Sequence, residues 1–315
     1  MEEKDLKAAP APHIKDSISV QRIMYSVLIP LIPASVFGVY FFGLHALFVI
    51  IASILAALVT EFVGLRLMGR SFRMDGSAII TGLLLALTLP PTVPIWMPMI
   101  GAAFGIAIGK LAFGGLGNNI FNPALVGRLF LFGSWPAKMT SWVEPFDAVT
   151  TATPLAQWNA GSITASISDL FYGSVGGCIG ETSALALLAG GSFLIIMGYI
   201  DWRTPLSIIG TVGILMWVLG EDPLFHILAG GLLLGAIFMA TDYSTRPLTK
   251  KGRIIFGIGI GVLVVTIRMI GGYPEGVAFS ILLMNGFVPL IDRFTKTRVY
   301  GTEKISLKNK IFGGS

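Results

Sequence analysis

The sequence has little charge and almost no cysteine or histidine. Of its 315 residues 12% are charged, three are histidines and one, Cys178, is a cysteine. A single cysteine excludes a disulfide within the chain and a metal site made of its cysteines alone. His45 and His226 each lack a second metal ligand at a suitable spacing. We therefore expect no metal centre.

Motifs of autonomous enzymes are also missing. The sequence contains no H-E-x-x-H pair, no phosphate-binding loop of the Walker A type and no G-x-S-x-G turn. These absences exclude the common metalloprotease, ATPase and serine hydrolase designs, and we assign no catalytic side chain.

What the sequence does contain is long apolar runs. Hydrophobic residues make up 54% of the chain, and the mean hydropathy is +0.80. A soluble domain could not cover so much apolar surface, which indicates a polytopic membrane protein. A membrane-crossing helix needs about 20 apolar residues. The candidates lie at 24–42, 44–64, 77–91, 94–112, 120–135, 181–199, 204–220, 224–241, 253–271 and 275–292.

Lysine and arginine are unevenly distributed between the loops. With both termini in the cytoplasm, all but three of the 22 basic residues fall on the cytoplasmic side. The exceptions are Lys138 in an outer loop, and Arg128 and Arg268 within spans. Cytoplasmic loops are enriched in Lys and Arg. The net charge of +5 therefore reflects membrane orientation, and we expect no nucleic-acid partner.

Short repeated strings indicate two copies of one unit. GLLL at 82–85 recurs at 231–234, and FGIAIG at 104–109 resembles FGIGIG at 256–261. The predicted fold is an all-α polytopic membrane protein with about ten transmembrane helices in two inverted five-helix repeats, because an odd number of spans inverts the second copy. The predicted segments are a cytoplasmic N-terminal segment (1–23), the first repeat (24–135), an extracytoplasmic loop (136–180), the second repeat (181–292) and a basic cytoplasmic tail (293–315).

Polar groups within or near the spans are candidates for function, since they are costly there. Inverted-repeat folds use interrupted helices, and we expect interruptions at 89–91 and 241–247. Charged residues near span ends are expected mostly to extend toward the headgroups; they are Glu61, Asp75, Lys110, Glu181, Asp242, Arg268, Glu275 and Asp292.

Three asparagines, Asn118, Asn119 and Asn122, lie just before Pro123. Their amides could hydrogen-bond the edge of a flat heterocycle. Alternatively, Asn122 caps a helix that has Pro123 at its first position. The two interpretations are compatible with each other.

The outer loop contains a threonine-rich stretch, DAVTTATPL at 147–155. Three threonines before a proline predict a turn rather than a helix interior. An ordinary solvated loop, in which threonine side chains bond the local backbone, is the better explanation of the spacing alone. The spacing alone therefore assigns no function to the stretch.

Four motifs in one order resemble the RnfD family, a membrane component of the Rnf complex, the ion-translocating ferredoxin:NAD oxidoreductase of bacterial and archaeal membranes. The motifs are GGLGNNIFNPALVGR (114–128), DAVTTATPL (147–155), DYSTRPLTKKGRIIFG (242–257) and YPEGVAFSILLMNGFVPLID (273–292). The sequence is more distantly similar to NqrB, the corresponding component of the sodium-pumping NADH:quinone oxidoreductase, whose long N-terminal extension it lacks.

The resemblance implies a covalent flavin. In this family the pattern Asp-x-x-Ser/Thr-Gly-Ala-Thr is the target of a flavin transferase, which esterifies the last threonine with FMN. Carried over, the acceptor is Thr153 and the motif acid is Asp147. Thr151 stands where glycine is usual, so it is an alternative acceptor. A second, non-covalent flavin (riboflavin) between the repeats is also implied, with Asn118, Asn119 and Asn122 as candidate contacts.

The implied function is a membrane subunit of a Na⁺- or H⁺-translocating oxidoreductase, which is not catalytic alone. Its implied partners are RnfA, RnfB, RnfC, RnfE and RnfG, the transferase and the bilayer of the bacterial inner membrane, with Thr153 on the outer face. The alternatives are the NqrB component of the quinone-reducing pump and a small-solute channel or transporter of inverted-repeat fold. A solute channel would need neither the threonine turn nor a flavin.

Overall fold

The computed structural model describes residues 19–72, 74–146, 149–162, 164–271 and 276–296. These residues are mostly helical, and their β structure is one pair of two-residue strands. Four of their helices are long and apolar enough to cross a bilayer, and five shorter apolar helices accompany them. The prediction of an all-α polytopic membrane protein is confirmed.

The helices form two groups separated by the loop between Ser134 and Ala184. The first group comprises α1 (Val20–Phe42), α2 (Leu44–Leu67), α3 (Ser77–Leu87), α4 (Trp96–Phe104), which continues into a π-helical turn (Gly105–Leu111), and α5 (Pro123–Ser134). The loop holds α6 (Pro136–Met139), β1 (Trp142–Val143), β2 (Thr150–Thr151), α7 (Pro154–Asn159) and α8 (Ile167–Tyr172). The second group comprises α9 (Ala184–Ile196), α10 (Arg203–Val218), α11 (Pro223–Leu228), α12 (Leu232–Leu234) with a second π-helical turn (Gly235–Met239), α13 (Lys250–Ile270) and α14 (Val277–Thr295).

One predicted span is not a continuous helix. Residues 224–241 are divided because Ala229 is extended, with ψ of 139°, and Gly230 has φ of +69°. A positive φ is unfavourable for residues with a Cβ, so glycine permits this break without proline. The other nine predicted spans each contain one helix. The expected interruptions at 89–91 and 241–247 are present as non-helical connections.

The order of packing recurs in the two groups. In the first group α2 packs against α3 and α4, and α5 packs against α4. In the second group α10 packs against α11 and α13, and α14 packs against α13. Contacts of α1 with α9 and of α5 with α14 join the groups. This parallel supports the five-plus-five division, whose inverted orientation stays a prediction.

Glycine permits close helix contacts in both groups. A Cβ at Gly82 of α3 would lie 2.7 Å from the Cα of Ile54 in α2. A Cβ at Gly257 of α13 would lie 1.9 Å from Ser207 Oγ in α10. Both distances are far below a van der Waals contact, so small residues are required at these crossings, as is common between membrane helices.

Candidate functional site

The threonine stretch forms a hairpin followed by a short helix. Trp142 of β1 pairs with Thr151 of β2, in antiparallel register. Thr153 is the N-cap of α7, where its Oγ1 accepts a hydrogen bond from the backbone N–H of Ala156 at 3.2 Å. Pro154 occupies the first helical position, which suits its fixed φ and missing N–H. The predicted turn, outside a helix interior, is therefore confirmed.

The three threonine hydroxyls differ in their surroundings. Thr150 is exposed, Thr151 is half-buried and Thr153 is only 4% exposed. Asp147, the predicted motif acid, lies outside the described residues. The candidate acceptor is thus the most protected of the three hydroxyls.

Side chains of α7 hold this segment against the second helix group. The Gln157 side-chain amide donates to the carbonyl of Ala152 at 3.1 Å. Trp158 Nε1 donates to the Glu221 carboxylate at 2.9 Å, and its ring packs edge-on against His226 with centroids 4.7 Å apart. The backbone just before Thr153 therefore has a defined position relative to α11.

Two adjoining cavities surround the threonine segment. A small one of about 10 Å³ reaches Thr153, and a cleft of about 290 Å³ lies beside Thr151. Both are lined by Pro154, Val175 and Gly176, so the space around Thr153 adjoins the cleft. A Cβ at Gly176 would lie 2.6 Å from Thr151 Cγ2, which explains glycine there. The cleft is lined by Glu144, Pro145, Phe146, Thr151, Ala152, Pro154, Gln157, Thr164, Ala165, Asp169, Ser174, Val175 and Gly176.

The asparagine cluster lies at a second site, between the two helix groups. Asn122 caps α5 through bonds from the N–H groups of Ala124 and Leu125 at 3.0 and 3.3 Å. Its side-chain amide also donates to the carbonyl of Met239 at 3.2 Å. The interpretation of Asn122 as a helix cap is confirmed. Both the oxygen and the nitrogen of its side-chain amide are hydrogen-bonded within the protein.

Asn119 is the asparagine with spare hydrogen-bonding capacity. It is 5% exposed, and its Oδ1 has no hydrogen-bond partner among the described residues. Asn118 is exposed and does not line the cavity next to Asn119. That cavity, of about 80 Å³, brings Asn119 and Asn122 together with Ser77, Lys110 and Thr241, and also with Asp242.

The expectation that the charged residues near span ends mostly reach the headgroups is wrong for four of them, Glu61, Lys110, Glu181 and Arg268. Lys110, in the first π-helical turn, is 2% exposed and donates to the Glu61 carboxylate and, at 2.5 Å, to Ser77 Oγ. Arg128 of α5 lies 3.5 Å from the carboxylate of Glu181, and both are buried. Arg268 of α13 is 1% exposed. Pairing inside the protein offsets the desolvation of these charges, so they need not extend to the membrane surface.

Several cavity residues were not predicted as site residues from the sequence. Gln157 and Phe146 flank the threonine motif, and Ser77 and Thr241 lie at the ends of apolar runs. For Gln157 and Phe146, the only signal in the sequence is their proximity to the motif. Ser77 and Thr241 are more than 160 residues apart along the chain, and only the packing of the two groups brings them together.

The comparison with known proteins identifies the family of this chain. Residues 7–301 match the NQR2, RnfD, RnfE family. The chain belongs to this family. Members of this family that resemble it closely span nearly the same length, so the site residues lie within the shared region.

Three curated family members illustrate the similarity. The chain is 49% identical to the D component of the "Proton-translocating ferredoxin:NAD(+) oxidoreductase complex" of Clostridium ljungdahlii, over 93% of this chain and 96% of that protein. It is 48% identical to the D component of the "Na(+)-translocating ferredoxin:NAD(+) oxidoreductase complex" of Acetobacterium woodii, over 98% and 100%. It is 41% identical to the D component of the "Ion-translocating oxidoreductase complex" of Stutzerimonas stutzeri, over 90% and 92%. The first two relatives are named for different ions at nearly equal identity, so similarity does not select the coupling ion.

Proposed function

We propose that this chain is the RnfD component of an Rnf-type ferredoxin:NAD⁺ oxidoreductase, which couples electron transfer to the translocation of Na⁺ or H⁺. The observation that carries the proposal is the full-length match to relatives named for this activity. In this role the chain acts with RnfA, RnfB, RnfC, RnfE and RnfG in the bacterial inner membrane and is inactive alone. The lysine and arginine distribution supports cytoplasmic termini and an extracytoplasmic Thr153.

The proposed electron carrier is FMN, joined to Thr153 by a phosphoester that a flavin transferase forms. The flavin supplies the redox chemistry, and the protein supplies its position and electrostatic surroundings. The residues present fit such a group, because the space around Thr153 adjoins a cleft of about 290 Å³. Small-molecule sites begin at about 300 Å³. A covalent tether keeps the carrier at high local concentration in this cleft.

The burial of Thr153 bears on how it would be modified. A hydroxyl that is 4% exposed reaches a transferase only when the segment opens. This opening has to break the contacts of α7, including the Trp158–Glu221 hydrogen bond and the burial of Leu155, which is 1% exposed. Thr151 is accessible without this opening, since it lines the cleft, and it is therefore the alternative acceptor.

The test is intact-mass and peptide mass spectrometry on the chain produced with its transferase, with Thr153→Ala and Thr151→Ala as variants. We expect an FMN mass on the peptide containing Thr153 that is lost in Thr153→Ala and kept in Thr151→Ala. A flavin that persists in Thr153→Ala would move the acceptor to Thr151 or Thr150. No covalent flavin, with a transferase active on another substrate, would contradict the electron-carrier role and favour a solute channel.

We further propose that the cavity at Asn119 is the site of a non-covalent riboflavin. The unpartnered Oδ1 of Asn119 suits an N–H donor, while Ile80, Leu84 and Phe238 supply apolar walls for a flat ring. A cavity of about 80 Å³ has to widen to admit the ring system. Heat or acid extraction of purified protein should release riboflavin, and Asn119→Leu should reduce the released amount. Equal release from both proteins would contradict this site.

A further inference from the structure

Phe146 has an unusual backbone conformation next to the threonine motif. Among the described residues that are not glycine, it alone has a positive φ, of 69°. An aromatic residue is unfavourable in this left-handed region. Such conformations persist only where the surroundings impose them, and they are concentrated at functional sites.

Contacts with the end of α1 impose this conformation. The backbone N–H of Phe146 donates to the carbonyl of Phe41 at 3.0 Å. The Phe146 ring meets Tyr40 edge-on, with centroids 5.4 Å apart, and Phe41 at 5.5 Å. The ring is therefore held from α1, a helix distant in sequence.

Core packing does not account for this arrangement. Phe146 is 64% exposed in spite of its three ring and backbone contacts. It also lines the cleft that contains Thr151 and Gln157 and adjoins the space around Thr153. An aromatic side chain that is fixed in position yet exposed in a cleft is suited to stack against a flat ring.

We propose that Phe146 is the stacking platform for the isoalloxazine ring of the flavin attached at Thr153. The proposal rests on the proposed FMN ester. Gly176 lines both the space around Thr153 and the cleft, and the side chain of Phe146 provides an aromatic surface in that cleft. Phe146 thereby limits the rotation of the tethered ring and its access to solvent.

The test compares full-length flavinylated proteins by the fluorescence of the covalent flavin. Phe146→Ala removes the ring, Phe146→Tyr keeps it, and Tyr172→Ala is the matched control. Tyr172 is an equally exposed aromatic residue of the same loop, 61% exposed, that packs on Phe171 and does not line the cleft. Acrylamide is the quencher because it is neutral and the cleft carries Glu144 and Asp169. Peptide mass spectrometry normalises each signal to the FMN bound.

In Phe146→Ala we expect lower fluorescence anisotropy and roughly three- to tenfold stronger quenching, the range that corresponds to the loss of one aromatic contact. Tyr172→Ala should match the wild type. Phe146→Tyr should keep the wild-type protection from acrylamide but show dimmer flavin fluorescence, because a stacked phenol quenches a flavin by electron transfer. Equal quenching in Phe146→Ala and the wild type would overturn the platform, as would an equal effect of Tyr172→Ala. If Phe146→Ala is not flavinylated, Phe146→Leu replaces it, and wild-type quenching in that protein overturns the proposal. A wild-type chain without FMN on the Thr153 peptide would instead refute the proposed ester itself.

Discussion

One helix in each helix group ends early, and a buried arginine from a neighbouring helix lies at each end. In the first group α3 ends at Leu87, and Arg128 donates to the carbonyl of Thr88. In the second group α11 ends at Leu228, and Arg268 donates to the carbonyls of His226 and Ala229. Backbone groups inside a membrane must be satisfied by the protein. Each arginine does this for the carbonyls that the break leaves without a helical partner.

The two breaks differ in their cause. Pro90 and Pro91 follow the first break and are visible in the sequence, whereas Gly230 permits the second without any proline. At the first break Arg128 also lies 3.5 Å from the carboxylate of Glu181. At both breaks the arginine donates hydrogen bonds to backbone carbonyls.

The largest effect is expected at the ion pair. Arg128→Leu removes the donor to Thr88 and takes the guanidinium away from a buried carboxylate, and we expect a loss of about 3–5 kcal/mol of unfolding free energy. Thermal unfolding of the detergent-solubilised protein at neutral pH measures it.

A double variant tests the cause. If the buried carboxylate dominates the loss, Arg128→Leu with Glu181→Leu should be more stable than Arg128→Leu alone, because neighbouring effects do not add. If the loss in the double variant equals the sum of the losses in Arg128→Leu and Glu181→Leu, a charge-based role for the pair is contradicted.

A smaller effect is expected at the second break. Arg268→Leu leaves the carbonyls of His226 and Ala229 without this donor, and we expect a loss of about 2 kcal/mol in the same unfolding experiment. Thr266→Ala, close by on α13, is the matched control, since Thr266 is exposed and bonds only its own helix at Val262. A loss in Arg268→Leu no larger than in Thr266→Ala would show that the second break does not depend on the arginine.

The smallest effect is expected at Asp201, which lies between the predicted spans 181–199 and 204–220. Asp201, before α10, accepts from Arg253 at 2.6 Å and Arg203 at 3.1 Å. Burial alone would raise the pKa of Asp201, but hydrogen bonds from Arg203 and Arg253 outweigh it and hold the pKa below its ordinary value of 3.8. Asp201→Asn should cost about 1 kcal/mol or less.

The sign of its pH dependence follows from the lowered pKa. The carboxylate stabilises the fold above the unfolded pKa, and this contribution is lost as the pH falls from about 3.8 through the lower folded value. The stability difference between wild type and Asp201→Asn should therefore shrink in this acidic window. A difference that grows there would contradict the ion pairs.

The sequence predicted much of the architecture because the signals are local. Apolar runs located nine of the ten spans, and Asn122 before Pro123 identified the start of α5. Thr153 before Pro154 was correctly placed outside a helix interior. The prediction of a continuous span at 224–241 was wrong. Glycine breaks a helix only when the surrounding contacts require it, and a run of apolar residues around Gly230 gives no sign of that.

The sequence by itself determined the fold class, the membrane character and the family, since these depend on composition, periodicity and motif order. Only the tertiary structure decided where the charges go. Lys110 and Arg268 lie near predicted span ends, where headgroups would have satisfied them, yet each is directed to a partner more than 30 residues away. The position of Phe146 also depends on a distant segment, since contacts with α1 hold its ring beside the cleft at Thr151. A charge or an exposed ring is placed by the partner that lowers its free energy, and that partner is set by packing between distant segments.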